Sequence, residues 1–181
     1  MKKNAGDKVS NIRLEALDGA VFDLSSLNGR PFMLSFFRFA SCPFCNLRMH
    51  ELVKRFEELG DKFTIVAIFD SAPDNLREHA TRHHAPFPVL ADAQGVYYTR
   101  YGIEHSAAGV LKGMIFRLPT LLYAMFAKGY LPQKINGSMT TMPADFLVDA
   151  SGIIRVSYYG KDEGDHLSFE AVKKFALASH V

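Results

Sequence analysis

Apolar positions along this chain fall into three kinds of run, and each kind predicts an element. Two runs are nearly continuous, Phe32 to Phe37 (FMLSFF) and Phe63 to Phe69 (FTIVAIF). Short uninterrupted runs of this kind suit central strands covered on both faces. A second kind, at Asn11 to Leu17 and Ala20 to Leu24, predicts a small hairpin that turns at Asp18-Gly19. The third kind steps by four and three. Cys45, Met49, Leu52, Phe56 and Leu59 form one stripe at helical period, and Gly60 ends it. Another helix is expected from Pro73 to about His83, capped by Ser71 or Asp70. Phe87 to Ala91 predicts a strand and Gly95 to Tyr101 a short helix. Asp145 to Val148 and Ile153 to Tyr158 predict a late strand pair, and Ser168 to Ala178 a closing helix.

Strands alternating with helices imply an α/β layered architecture. One domain over residues 1–181 is expected, since that length is close to the usual size of a single core. Residues 105–141 break the rhythm. They predict a helical insertion: one helix to about Arg117, and a second opened by Pro119 and ended by Gly129. Its apolar surface has three candidate partners, namely the core, a second copy in a homodimer, and a membrane surface. Packing on the core or in a dimer is the expectation.

Composition narrows the function classes. With 48% hydrophobic and 22% charged residues the chain is ordinary for a globular protein. A net charge of +2, without any basic cluster, argues against nucleic-acid binding. The most apolar region, Val110 to Leu131, is interrupted by Lys112, Arg117, Pro119 and Lys128. A spanning helix needs ~20 nearly uncharged residues, so no membrane span is expected. Lys2 and Lys3 are followed by no apolar stretch, so the start does not resemble a secretory signal peptide, and a cytoplasmic protein is expected.

The two cysteines change the picture most. Both lie in Phe37–Asn46, FRFASCPFCN, where a strand gives way to a helix. A thiol reacts as its thiolate, and a helix N-terminus lowers thiol pKa because unpaired N–H groups and the dipole favour negative charge. Cys42 stands at that junction with Pro43 at the first helical position, so an exposed, anionic sulfur is expected there. Cys45 starts the buried stripe, so a shielded and less acidic thiol is expected. The pair therefore divides into nucleophile and resolver. Arg38 and Arg48 flank it and can add positive potential. His79 and His83 stand four apart with His84 beside them, a metal-capable spacing that more often marks a solvated helix face. Asp70, at a strand end, is either a helix cap or a proton acceptor near the thiols.

With CPFC behind a strand, the sequence resembles the thioredoxin superfamily. Met142-Pro143, in TTMPADFLVDASGII, looks like that superfamily's cis-proline, which implies substrate positioning by Pro143 and backbone contact by Met142. GDKVSNIRLEALDGAVFDLSSLNGRPFMLSFF and VLADAQGVYYTRYGI are similar to the peroxiredoxin branch, the alkyl hydroperoxide reductase and thiol-specific antioxidant group. The closing YYGKDEGDHLSFEAVKKF resembles bacterial peroxiredoxin-like proteins with a CPxC site and a helical insertion.

The resemblance implies a thioredoxin-like fold with a central mixed sheet, an N-terminal β-hairpin extension and a helical insertion over about 105–141. It implies hydroperoxide reduction by a Cys42/Cys45 redox pair, with Arg38 assisting. The substrate would be a hydroperoxide or a disulfide, the electron donor a thiol such as thioredoxin or glutathione, and no bound cofactor would be needed. Three departures stand out. Ser35 and Phe39 occupy the places of a family proline and threonine, and Pro143 stands about where an activating arginine falls. Arg38 and Arg117 are the candidate substitutes. The alternatives are a thiol-disulfide reductase, a metal-binding module using Cys42, Cys45 and His166, and a non-catalytic interaction domain working through the insertion.

Overall fold

The computed structural model describes residues 1–178; residues 179–181, the end of the expected domain, lie outside the described residues. Seven strands form one mixed sheet: β1 (Arg13–Ala16), β2 (Val21–Asp23), β3 (Phe32–Phe37), β4 (Thr64–Phe69), β5 (Val89–Ala91), β6 (Ala144–Val148) and β7 (Ile154–Tyr159). Their order across the sheet is β2-β1-β5-β4-β3-β6-β7. β3, β4 and β5 run parallel, and the remaining pairs are antiparallel. The hairpin extension, the central mixed sheet and the late strand pair are all where the sequence places them.

The two continuous apolar runs became the central strands because both faces are covered. On one face Met33, Phe37, Ile65 and Phe69 pack under α1 (Pro43–Lys54) and α6 (Phe169–Ala178). On the other, Leu34, Phe36, Val66 and Ile68 pack with Tyr98 and Tyr101, which α3 (Val96–Arg100) and its end supply. Each such side chain, once buried, contributes roughly 1.5–3 kcal/mol. Ser35 is the polar exception in β3, and it is satisfied by donating to the buried Asp145 carboxylate of β6.

Three local expectations are corrected. The stripe from Cys45 to Leu59 is not one helix: α1 stops at Lys54, and Phe56–Leu59 tighten into a separate 3₁₀ turn ended by Gly60 at φ 80°. The side-chain stripe survives the break because both turns share the same flank of the sheet. α2 (Pro73–Ala80) is capped by neither Ser71 nor Asp70; its N-cap is Ala72. Ser71 bonds Asn75, and Asp70 is drawn away by the insertion. The Met142–Pro143 bond is trans, since no cis peptide occurs among the described residues. Thr141 pairs with His105, the Met142 N–H donates to the Glu104 carbonyl, and the Pro143 carbonyl accepts from Gly160. That extended pairing suits the trans form, which X–Pro bonds favour in any case.

The insertion holds α4 (Ala107–Phe116) and α5 (Leu118–Leu122), the latter running into a wider turn at Tyr123–Ala127. The helices bend by 82° where they meet. α5 and the turn after it pack on α1, and Leu121 lies against the core cluster that holds both cysteines. The buried residues along these elements are Gly109, Gly113 and Ala124, whereas Leu111, Ile115, Phe116, Leu122 and Phe126 are exposed. Leu121 packs against the core, so core packing, one of the expected arrangements, holds in part, while most of the large apolar side chains of the two helices stay outside it.

Candidate active site

β3 ends at Phe37, and the five residues to Cys42 turn the chain into α1. Cys42 is the N-cap residue, extended at φ −61° and ψ 124°, with Pro43 in the first turn. The amides of Phe44 and Cys45 face its sulfur without closing a regular capping hydrogen bond. The two cysteines are not joined in a disulfide, and both are buried. The expectation of an exposed Cys42 is thus corrected: Phe39, Phe44 and the insertion close over it, leaving its relative exposure at 0%.

Burial opposes ionisation of Cys42, yet the Cys45 thiol, the Arg38 charge and the two amides outweigh it and bring its pKa down to about 6. Cys45 is pushed well above the ordinary thiol value by the same burial, by donating to Cys42 and by the negative charge there. The asymmetry expected from sequence is present, but its causes are a neighbouring thiol and an arginine as well as the helix end.

Arg38 uses all three guanidinium nitrogens. Nη1 donates to Cys42 Sγ at 3.4 Å, Nε to the Thr141 carbonyl at 2.9 Å, and Nη2 to the Met139 carbonyl. It is buried and ties the end of the insertion to the reactive sulfur. Asp70 holds the same segment from the other side, accepting from the Ser138 amide at 3.0 Å and the Thr141 hydroxyl at 2.7 Å. Asp70 is neither a cap nor, in this arrangement, a partner of the thiols. Met142 is buried with its sulfur beside Gly109, and Pro143 lies two residues beyond the carbonyl that Arg38 holds. Arg48 does not reach Cys42; it bonds Glu51 and the Leu167 carbonyl. Arg117 pairs with Asp162 at 2.7 Å.

Asn46 is the functional residue that sequence reasoning missed. Its side-chain amide donates to the carbonyls of Ala40 and Cys42, both at 2.9 Å, which fixes the turn that aims Cys42. Its oxygen accepts from Arg82 and from His83 Nε2 at 2.8 Å. His83 is buried, and its pKa falls to about 4 through burial and nearby cations, so it is neutral and donates. The helix face carrying His79 and His83 is therefore buried rather than solvated. A polar residue directly after CPFC, on the inward side of α1, was the available signal. His166 bonds the buried Asp145 at 3.1 Å. Among the described residues no group of three His, Cys, Asp or Glu side chains is placed to hold a metal ion.

Two predictions follow from this geometry. Because the Cys42 pKa is about 6 in the folded chain and ~8.5 when unfolded, the unfolded chain binds more protons between those values. Stability of the reduced protein should therefore rise as pH rises from about 6 to ~8.5, and fall away as pH drops through 6. Urea midpoints of wild type and Cys42→Ser, compared at pH 5.5 and 8, should diverge at the higher pH; a constant difference would contradict a lowered thiol. The second prediction concerns Gly137, which sits at φ +106° where an added Cβ would overlap the Asp70 carbonyl oxygen. Gly137→Ala should cost about 2 kcal/mol or more in denaturant unfolding and slow the Cys42 reaction, because it displaces the segment that anchors Arg38.

The fold and the placement of the two thiols define a thioredoxin-fold protein with a CPxC cysteine pair at the start of α1. The family model described as AhpC/TSA matches residues 5–157, and the chain belongs to that family. It is 31% identical over 107 residues to the soluble secreted antigen MPT53 of Mycobacterium tuberculosis, covering 59% of this chain. The match spans 61% of the length of that relative. Among solved structures it is similar to a thiol peroxidase from Chromobacterium violaceum, with TM-score 0.68, 16% identity, and coverage of 100% of this chain and 90% of that one. It is also similar to a thiol:disulfide interchange protein of the thioredoxin family from Chlorobium tepidum, with TM-score 0.54, 19% identity, and coverage of 98% and 99%. Identities this low speak for the shared fold alone.

Proposed function

We propose that the chain is a thiol peroxidase in which Cys42 is the nucleophile, Cys45 the resolving thiol and Arg38 the group that polarises the peroxide. The observation that carries this reading is Arg38 Nη1 held 3.4 Å from a fully buried Cys42 sulfur. A hydroperoxide presents two small oxygens and can enter such a site. A protein disulfide, like the thiol donor that later recycles the pair, must bring its sulfur in line with Cys42. Such a partner can react only when the site opens, whereas a hydroperoxide can react with the site closed.

The Cys42 thiolate attacks the terminal peroxide oxygen, and the O–O bond breaks with its electron pair leaving on the alkoxide. The alkoxide takes a proton to become the alcohol, and Cys42 becomes a sulfenic acid. Arg38 is placed to stabilise negative charge on the departing oxygen, a role that fixed donors in a water-poor site perform well. Cys45 then attacks the sulfenic sulfur and loses its proton, water leaves, and a Cys42–Cys45 disulfide remains. Two external thiols, from a donor such as thioredoxin or glutathione in a reducing cytoplasm, restore both cysteines by exchange. Pro143 and Met142 shape the wall beside the entering peroxide. No cofactor enters these steps.

One equivalent of cumene hydroperoxide added to reduced protein should give one equivalent of the alcohol and a protein lighter by two hydrogens. Loss of thiols without matching alcohol would overturn the reading. Disulfide reduction is the second reading. It is favoured by Ser35 and Phe39, which stand where the sequence resemblance places a proline and a threonine that serve peroxide chemistry.

A further inference from the structure

The insertion is turned inside out. α4 meets the body through Gly109, whose Cα side faces the Met142 sulfur and the Lys161 carbonyl, and through Gly113, against the Glu163 carboxylate. With glycines inward, the large side chains point outward. Of the 15 large apolar side chains exposed among the described residues, 11 lie between Leu111 and Met139. Phe116 and Phe126 are the extreme cases, at 77% and 78% exposure. Patches of this kind on a folded chain mark a surface that something covers.

The charge pattern identifies what covers it. From residue 105 to residue 144 there is no carboxylate, while Lys112, Arg117, Lys128 and Lys134 are basic. Arg117 and Lys134 are paired with Asp162 and Glu78, but Lys112 and Lys128 are exposed on the apolar helices themselves. A second copy of this chain is a poor fit, since a two-fold interface would set this basic surface against itself. Among the described residues no single helix is long and apolar enough to cross a membrane, and the two short helices that would suffice together are bent by 82°. Such a pair can lie in an interface with its apolar side chains among acyl chains and its lysines among anionic headgroups.

We infer that residues 107–131 form a docking surface for an anionic lipid bilayer, on which the protein lies without spanning. The docking stands without the peroxidase reading. Where that reading also holds, it deepens it: Arg38 joins the far end of the insertion to Cys42, so hydroperoxides of membrane lipids are the substrates the docked site meets.

The test is co-sedimentation with vesicles of phosphatidylcholine alone or with one third phosphatidylglycerol. It is run on wild type and on Cys42→Ser, whose binding should be the same, so that failure of the chemistry and failure of docking are told apart. Wild type should sediment with the anionic vesicles at low salt. Phe116→Ser/Phe126→Ser should lose this at least tenfold while keeping wild-type thiol reactivity towards hydrogen peroxide, which shows that it is folded. Lys112→Glu/Lys128→Glu should also lose at least tenfold, since each lysine near an anionic surface is worth about fivefold. Wild type remaining in the supernatant would overturn the proposal, including the case in which it is a dimer that the double serine variant dissolves. Equal binding to neutral vesicles would overturn it as well.

Discussion

Cys42→Ser should reduce hydroperoxide turnover to background, a loss of more than ~10³-fold, because the remaining thiol, Cys45, is held protonated by burial and is a poor nucleophile in that form. The second cysteine should fail differently. Cys45→Ser should still consume about one equivalent of hydroperoxide, and then stall with Cys42 as a sulfenic acid that dimedone labels. The split follows from the geometry. Cys42 is the anionic sulfur, with a pKa of about 6, while Cys45 is held protonated until the negative charge beside it is gone. Intact mass after a single peroxide addition separates the outcomes: plus one oxygen for Cys45→Ser, minus two hydrogens for wild type, and no change for Cys42→Ser. Full turnover by Cys42→Ser would remove the basis of the assignment.

Arg38→Met should be the most damaging change outside the cysteines. Two effects need separating by size. Losing the guanidinium moves the Cys42 pKa up towards ~8.5 but not all the way, since the Cys45 thiol and the two amides remain. The thiolate fraction at pH 7 therefore falls by at most about 30-fold. A more basic thiolate is also a better nucleophile, with a Brønsted slope of ~0.4–0.5, so at that limit about tenfold is regained and only ~threefold is lost by that route. Loss of the donor to the breaking O–O bond is the larger effect, ~10²–10³-fold by comparison with removal of a single oxyanion donor. The second-order rate with hydroperoxide at saturating pH isolates it. Exchange with a small disulfide, which has no O–O bond to polarise, should fall far less in the same variant. The pH midpoint of both reactions should move upward. An equal loss in both reactions would assign Arg38 a purely structural role, through the Met139 and Thr141 carbonyls it holds.

Much of this site was legible along the chain. The strand ending at Phe37, Pro43 at the helix start, and the spacing of Cys42 and Cys45 follow from periodicity and the chemistry of helix ends. So does the contrast between the two thiols. What periodicity cannot carry is contact between distant segments. The lid over Cys42 comes from residues about 80 to 100 positions downstream, so its burial was invisible, and an exposed sulfur was expected instead. The same holds for Asp70, whose partners Ser138 and Thr141 lie far along the sequence. It holds for Asn46, whose role depends on His83 and Arg82 arriving from the end of α2. The insertion misled for another reason. An apolar helix is ordinarily expected to bury its large side chains, and Gly109 and Gly113 reverse that choice by giving the body a flat face to receive.

The proposed preference of the buried, arginine-held Cys42 thiolate for the O–O bond is the reading on which the mechanism rests. It is tested most directly by stopped-flow measurement of Cys42 thiol loss at pH 7, with a hydroperoxide set beside a small disulfide at equal concentration. Loss with the hydroperoxide should be at least ~10²-fold faster. Faster loss with the disulfide would contradict it, and would make the protein a disulfide reductase on the same frame.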